Sequence, residues 1–534
     1  MRQLARRYGH MLPLVVLTVA ATALIIHYYF IFDEAGKITA YGDGIAKLNN
    51  GRKIWDNPLG QFSIAQAGSI WLVGKSLLIS LTAWYDPMYR SGLSGSIWSM
   101  ASFVITVLLV YETVRTVTRQ FGTLPSNIGG IAAAFVLGLN TNLIYFGTTP
   151  MTEPEVVLAE AACCLALVKF EQDPTSWRKL WFAAVILALS GWIRYELWFL
   201  AGVALPLMGI AMWAKGMRGY EFIATVFMPF MLLGGTIATW IVFWQWQLFG
   251  DPLYFSHSDY SARAIDVIGA NKTFAVHDLR ESVRQYAEAV RLNFPIELLG
   301  AASAGIALYI LQHLGRRRGT TSLLFLLGIP VFFITSIYLG QNAIDIRHDG
   351  TASFNIRYGL TIIPLVAIGV GYLVANLARF HAPLLDWSGK VLAVAGLAFV
   401  YYIYAPSLNE PISTAVLHDV SAQQSPAIKE IAWFMNTKYD GDLILAESFG
   451  SINAIQFYSG IPFKRYVTES VPEAFQKAIA NPIENVDWIV IRNGDSLSQM
   501  LSEPKFRDNY RVVFSNSYGK ILVTNDRVDL TAAQ

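Results

Sequence analysis

Charge is scarce in this chain. Of its 534 residues, 15% are Asp, Glu, Lys or Arg and 54% are hydrophobic, whereas ordinary soluble domains carry about a quarter charged residues. This deficit excludes a soluble globular enzyme and indicates a polytopic membrane protein. An excess of either sign is lacking too. The formal net charge is +2, which leaves no basic surplus for a nucleic-acid partner, and the basic residues cluster instead in short loops between apolar runs. Cysteine is nearly absent: Cys163 and Cys164 are the only two. They are adjacent inside an apolar segment, where consecutive helical side chains diverge, so neither a disulfide framework nor a thiolate metal site is expected. No 20–50-residue repeat and no low-complexity tract is present.

What is there is a series of apolar runs of membrane-spanning length, about 20 residues each. They lie near 11–32, 94–114, 128–148, 154–170, 179–194, 197–214, 222–249, 294–313, 321–340, 357–378 and 390–406. The first follows Met1-Arg-Gln-Leu-Ala-Arg-Arg7, a signal-peptide-like charge pattern, but it is long enough to span and lacks a small-residue cleavage site. It reads as an uncleaved first helix. Basic residues mark the N-terminus, Arg115 with Arg119, Lys169 with Arg178 and Lys179, Lys215 with Arg218, Arg316 to Arg318, and Arg379 with Lys390. These are alternate loops, so about eleven helices are expected, with the N-terminus cytoplasmic and the C-terminus outside the plasma (inner) membrane.

The stretch Ala65 to Leu81 is also apolar but carries Lys75 at its centre. Counting it as a span would reverse every later basic loop, so it is placed at the outer interface as an amphipathic or re-entrant helix. Residues 33–93 thus form a long first outer loop within a membrane domain of residues 1–406. From 407 to 534 the apolar runs shrink to strand length, at 442–447, 486–491, 510–514 and 520–524, with a helical pattern from Val471 to Ala480. That alternation predicts a small extracytoplasmic α/β domain.

The ionisable residues fall on one predicted side. Asp33, Glu34 and Asp43 follow the first helix, Glu153 lies in Thr148-Thr-Pro-Met-Thr-Glu-Pro154, Arg194 and Glu196 lie in Trp192-Ile-Arg-Tyr-Glu-Leu-Trp198, and Arg347, His348, Asp349 and Arg357 precede or open a late helix. Charges next to hydrocarbon are costly, so they line a cavity, pair with each other, or do chemistry. Arg194 is suited to pairing with Glu153 or Glu196 as a tie between helix ends. Thr152-Glu153-Pro154 also fits a helix cap, with Thr152 as N-cap and Pro154 in the first turn. Asp43, between Gly42 and Gly44, fits a general base that a ligand can approach closely, and equally a turn aspartate capping the next helix. His257, His277 and His348 share this side with Asp259, Asp278 and Asp349, without the tight His-x-x-His spacing of a metal site. Asn271-Lys-Thr273 is a glycosylation sequon in a predicted outer loop.

These features resemble the GT-C superfamily of membrane glycosyltransferases, most closely the branch of protein O-mannosyltransferases and aminoarabinose transferases, family 39 and its bacterial relatives. The resemblance rests on Asp43-x-x-Ala-x-Leu-x-x-Gly-Arg-Lys, the following Ala65 to Trp71, Thr149-Pro-Met-Thr-Glu-Pro154, Arg194-Tyr-Glu196 and Asn355-Ile-Arg-Tyr-Gly-Leu360, in that order. It covers roughly residues 10–400. It implies inverting transfer from a polyprenyl-phosphate sugar to a hydroxyl of a glycan, lipid or protein on the outer face, with no nucleotide donor. Asp43 would be the general base. Arg357 and Arg194 would neutralise the leaving phosphate, while Glu153, Glu196 and Tyr358 would bind the sugar or orient the arginines. The Asp-Glu pair that the family often carries in this loop stands earlier here, at Asp33-Glu34, which makes Glu34 the alternative base. No metal is implied by these residues. The competing class is a transporter or lipid-linked-sugar flippase, which tends to place its charges near the midplane and to show inverted halves.

Overall fold

A computed structural model describes residues 11–68, 70–258, 261, 275–313, 322–342, 344–346, 353–379, 386–409, 425–447 and 452–527. Arg316 to Arg318, Asp259, the sequon at 271–273, Arg347, His348 and Asp349 lie outside the described residues. The chain forms two compact units: Met1–Lys37 with Ser96–Ala238 and Ala262–Asp419, and Ile38–Gly95 with Thr239–Ser261 and Val420–Gln534.

The first unit is helical. Its principal elements are α1 (Met11–Glu34), α2 (Leu93–Val117, which begins in the other unit), α3 (Thr123–Gly138), α4 (Thr141–Thr148), α5 (Glu153–Gln172), α6 (Trp177–Ser190), α7 (Glu196–Ala214), α8 (Tyr220–Trp240), α9 (Leu279–Asn293), α10 (Ile296–His313), α11 (Gly328–Tyr338), α12 (Ile363–Ala378) and α13 (Asp386–Asn409). Every predicted span falls on helix. Among the described residues six helices are long and apolar enough to cross a membrane, and a seventh span arises if α3 and α4, bent by 64°, are counted as one. The segment corresponding to α5 carries Glu153, Glu155, Glu160, Lys169 and Glu171, which makes it too polar for that test although most of it is buried. The protein is therefore a multi-pass membrane protein.

Without a hydrophobic force between helices in lipid, close contact depends on small residues. The centre of the unit shows why. On α12, Gly369 and Gly371 are two residues apart and so face opposite sides of the helix at about 100° per residue. A Cβ on Gly371 would lie 2.6 Å from the Gly129 carbonyl oxygen of α3, and one on Gly305 of α10 would lie 1.9 Å from the Gly369 carbonyl oxygen. Two helices thus close on α12 from opposite faces.

The second unit is mixed. Its sheet has β3 (Ile444–Ala446), β4 (Tyr466–Val467), β5 (Trp488–Arg492), β6 (Tyr510–Ser515) and β7 (Gly519–Thr524) in the order β4-β3-β5-β7-β6. A two-residue pair, β1 (Asp345–Ile346) with β2 (Ser353–Phe354), belongs to the first unit. The β4-β3-β5 part is parallel and β5-β7-β6 antiparallel. Side chains alternate between faces along each strand: Ile444, Ala446, Trp488, Val490, Ile521 and Val523 enter one core, whereas Leu445, Ile489, Ile491 and Leu522 enter the other. Helix Pro472–Ala480 covers the second face, opened by Pro472 in its first turn as its sequence pattern predicts. The short β4 went unpredicted because two residues give no periodicity.

The first face is covered by helices Pro426–Lys438 and Ile452–Ser459 and by residues from the first outer loop, Ile45, Leu48, Ile79, Ala83 and Tyr89. That loop folds as helix Gly42–Lys53, a 3-10 turn at Ile64–Ala67, helix Gly74–Ala83 and a short helix at Asp86–Arg90. The interfacial helix predicted across 65–81 is therefore broken, its regular part starting at Gly74.

The glycine contacts generate a test. Gly305→Ala forces a backbone shift and should destabilise by about 1–3 kcal/mol, whereas Gly300→Ala, with nothing within 4 Å of its Cβ position, should be neutral or slightly stabilising. Thermal unfolding of both variants in detergent by tryptophan fluorescence measures the difference.

Candidate functional site

The first unit gathers four of the sequence-predicted residues. Arg194 sits in the turn between α6 and α7, donates from Nη1 to Glu153 Oε1 at 3.0 Å, and pairs through Nε with Glu196 Oε1 at 2.7 Å. Arg357 Nε lies 3.5 Å from the same Glu153 oxygen. Glu153 is wholly buried, Glu196 3% exposed and Arg357 7% exposed. Two guanidinium groups thus share one carboxylate in a water-poor setting, where each charge depends on its partners to remain buried. Arg194 makes both of the pairings that its sequence position left open.

Local structure explains this convergence. Ser99 on α2 donates to the Thr149 carbonyl at 2.6 Å and holds the turn that leads into α5. Thr152 occupies the N-cap position of α5 but makes no side-chain cap bond, and Pro154 is in the first turn. The capping expectation thus holds for position but not for bonding. Glu153 spends its carboxylate on arginine instead. Arg357 lies in a 3-10 helix, Ile356–Ile362, entered through Asn355 at φ 57°, a left-handed conformation that asparagine tolerates better than most residues. Asn293 at the end of α9 donates to the Ile356 carbonyl at 2.8 Å. Gly359 lies so close to α9 that a Cβ would come 2.3 Å from the Ala289 carbonyl carbon.

Tyr358 presents its ring to both cations, with the Arg194 and Arg357 guanidinium carbons 5.2 and 5.6 Å from its centroid. The ring stacks on Phe333, which stacks on Tyr286. Burial pushes the Tyr286 hydroxyl well above its ordinary pKa.

Glu160, two turns beyond Glu153 on the same face of α5, was not identified from the sequence. It is wholly buried, and neither carboxyl oxygen has a hydrogen-bond partner among the described residues. The signal was available: an acid in a predicted span, seven residues from another.

The second unit holds Asp43. It is half-buried in the first turn of helix Gly42–Lys53, whose N-cap is Tyr41 and has no side-chain cap bond. Asp43 thus stands inside the first turn, where a carboxylate is favoured by the helix dipole, and not at the N-cap position. Gly42 and Gly44 are helical and not left-handed. Asp33 and Glu34, by contrast, are exposed at the end of α1, in the first unit. The same loop buries three lysines: Lys75 Nζ donates to the Gly95 carbonyl at 3.2 Å, Lys47 Nζ to that of Leu72 at 3.1 Å, and Lys53 Nζ lies 5.4 Å from the Phe463 ring centroid. Burial lowers the Lys53 pKa to about 8, opposed by the nearby Glu469.

His257 pairs with Asp251 at 2.6 Å and His277 lies edge-on to Tyr338. Among the described residues no cluster of three or more His, Cys, Asp or Glu side chains is placed to hold a metal ion.

No family model matches the chain, and no curated protein does. Solved structures do match. ArnT from Cupriavidus metallidurans bound to undecaprenyl phosphate aligns over 97% of this chain and 99% of its own, at 12% identity and TM-score 0.57. Its apo state gives the same coverage and identity with a TM-score of 0.52. The archaeal oligosaccharyltransferase AglB from Archaeoglobus fulgidus, in complex with an inhibitory peptide and a dolichol-phosphate, aligns over 97% of this chain and 74% of its own, at 13% identity and TM-score 0.51. At such identities the likeness is one of fold: the chain shares the architecture of these two proteins along nearly its whole length, in agreement with the fold that the sequence resemblance implied.

Two outcomes follow from the buried charges. Arg194→Ala leaves two carboxylates short of a partner and should cost about 3–5 kcal/mol, read as a lowered unfolding temperature that Glu153→Gln with Arg194→Met in one protein partly restores. Lys53 behaves oppositely to an ion-paired group. Its pKa is lower folded than unfolded, so the unfolded chain binds more protons between pH 8 and 10.5 and stability rises with pH across that window. Relative to Lys53→Met, the wild type should gain about 3 kcal/mol from pH 8 to pH 10.5, measured by thermal unfolding at each pH.

Proposed function

We propose that the protein transfers a sugar from a polyprenyl-phosphate donor to an acceptor hydroxyl, with inversion, on the extracytoplasmic side of the membrane. The observation that carries this reading is the pair of arginines, Arg357 buried and Arg194 half-buried, that share the buried Glu153 carboxylate in the first unit. A planar, permanently charged fork is suited to a phosphate oxygen pair, and such a group costs too much in an apolar bundle to be retained as filler. The fold adds to this. A structure with the same architecture is bound to undecaprenyl phosphate and another holds a dolichol-phosphate, both lipid phosphates of the chemical class that arginines recognise.

In this reading the acceptor O–H gives its proton to the Asp43 carboxylate as the oxygen attacks the anomeric carbon. The bond from that carbon to the phosphate oxygen breaks, the electron pair leaves with the polyprenyl phosphate, and attack from the opposite face inverts the centre. Arg357 and Arg194 stabilise the charge that develops on the leaving phosphate. Tyr358 orients the two guanidinium groups through its ring, and Glu153 and Glu196 hold them until the donor phosphate competes for their N–H groups. The chain's own groups supply each role, with the donor and acceptor as substrates.

The test uses purified protein in lipid, a panel of radiolabelled undecaprenyl-phosphate hexoses and pentoses, and cell-envelope extract as acceptor. Wild type should consume one donor, Asp43→Asn should lose about 10²–10⁴-fold in turnover, and Glu34→Gln should match wild type. Arg357→Lys should lose about 10²-fold or more, because a point charge does not replace a bidentate fork. Retained turnover in Asp43→Asn with loss in Glu34→Gln moves the base to Glu34. No consumption of any donor favours transport instead.

A further inference from the structure

We infer that the C-terminal α/β domain positions the helix bearing Asp43, so that the domain acts within the transfer reaction through that helix and is not merely appended to the membrane domain. This inference rests on the assignment of Asp43 as base. Its support lies wholly within the second unit.

Helix Gly42–Lys53 is bonded to the C-terminal domain along its length. Ahead of it, Tyr458 donates its hydroxyl to the Thr39 carbonyl at 2.9 Å. At its middle, Asn49 is wholly buried and donates through Nδ2 to the Asn453 carbonyl at 2.8 Å, while its Oδ1 accepts from Tyr89 at 2.9 Å. Beyond its end, Asp56 accepts from the backbone N–H groups of Phe463 and Lys464 at 2.9 and 3.2 Å. Between these bonds, Ile45 and Leu48 enter the same apolar core as Ile431, Met435, Ile455 and Phe457. On the helix's other flank Gly51 admits Ile79, whose Cγ2 would lie 2.5 Å from an added Cβ.

An element fixed at three points and by one shared core has few independent motions. Asp43 lies in its first turn, between the Thr39 and Asn49 anchors. A general base works only when held close to its productive geometry, and small displacements cost large factors in rate. The C-terminal domain supplies that constraint. Asn49 is the sharpest point at which to remove it: Asn49→Leu keeps the number and branching of the side-chain heavy atoms and the apolar core but removes the bonds to the Asn453 carbonyl and the Tyr89 hydroxyl. Asn49 and Asp56 are positioning residues here, since neither is proposed to touch substrate.

The experiment compares full-length wild type, Asn49→Leu, Asp56→Ala and Tyr458→Phe in lipid nanodiscs. Amide hydrogen exchange is read in residues 39–53 and in strands β3, β5 and β7, alongside turnover of whichever undecaprenyl-phosphate sugar wild type consumes. The expected result is exchange at least 10-fold faster in 42–53 for Asn49→Leu and Asp56→Ala, with strand amides unchanged. Turnover should fall 10–100-fold at an unchanged KM for the donor, with a displaced acid limb in the pH–rate profile. Unchanged exchange in 42–53, or a turnover loss without it, overturns the inference. Should the strands of Asn49→Leu also lose protection, Tyr458→Phe decides, because it removes the domain's bond to the Thr39 carbonyl and no volume: local loosening of 39–53 supports the inference and wild-type exchange overturns it. Asp43→Asn separates the two readings. Retained turnover there removes Asp43 as the base, while the exchange result still decides whether the domain holds the helix.

Discussion

Glu153 is the constraint around which the first unit is organised. A carboxylate with no exposed surface, next to membrane-spanning helices, is tolerable only if cations desolvate with it. Arg194 and Arg357 do so, and they come from connections that are distant in sequence: one between α6 and α7, the other from the 3-10 turn that leads into α12. Since neither arginine can lose its proton at accessible pH, the network has only one way to be satisfied, and that is with all three segments in register. The ion pairs therefore matter less for net stability, where desolvation offsets much of the attraction, than for specifying which helix ends meet.

Specification by charge works only if the backbone beneath it is equally fixed. Arg357 lies on a turn that Asn293 holds by its Ile356 carbonyl and that Gly359 seats directly on α9. Continuing from that turn, α12 is gripped from opposite sides through Gly369 and Gly371. The same rule operates at both levels: small residues allow backbones to touch, and the polar group nearby then has a single position. A larger residue at any of these glycines would move the arginine before it touched it. This is also why Asn355 can hold a left-handed φ of 57°; its neighbours on both sides are already fixed.

Much of this was legible from residue order. Apolar run length located the helices of the first unit apart from α9, whose polar sequence forms no such run, and sidedness of charge singled out Glu153, Arg194, Glu196 and Arg357 before any geometry. Apolar runs of strand length located four of the five strands in the C-terminal sheet. What was not legible has a common cause, since hydropathy reports that a residue is buried but not against what. The stretch 65–81 read as an interfacial helix because its apolar face had no visible partner in the sequence; Ile79 and Ala83, with Ile45 and Leu48 of helix 42–53, share a core with residues about 350 to 480 positions later. Glu160 was passed over because a single acid in an apolar run hardly alters its mean. Asp43 was read as either base or cap, and residue order could not show that Tyr41 takes the N-cap position and leaves Asp43 in the first turn.

The depth of the charges bears on what the first unit does. A fold shared at 12–13% identity permits many chemistries, so the functional reading has to come from the site. Transport asks for binding groups near the middle of the bilayer, reachable from both faces in turn. Here the arginines are at helix ends: Arg194 precedes the first residue of α7, and Arg357 precedes α12 by six residues. Glu160 lies seven residues, and so about 10 Å, along α5 from Glu153, and among the described residues its carboxyl oxygens accept no hydrogen bond. A phosphate held by these arginines would therefore stay at one surface while its lipid tail remained in the membrane. That arrangement suits a group removed from a lipid carrier at the interface. It does not suit one carried across.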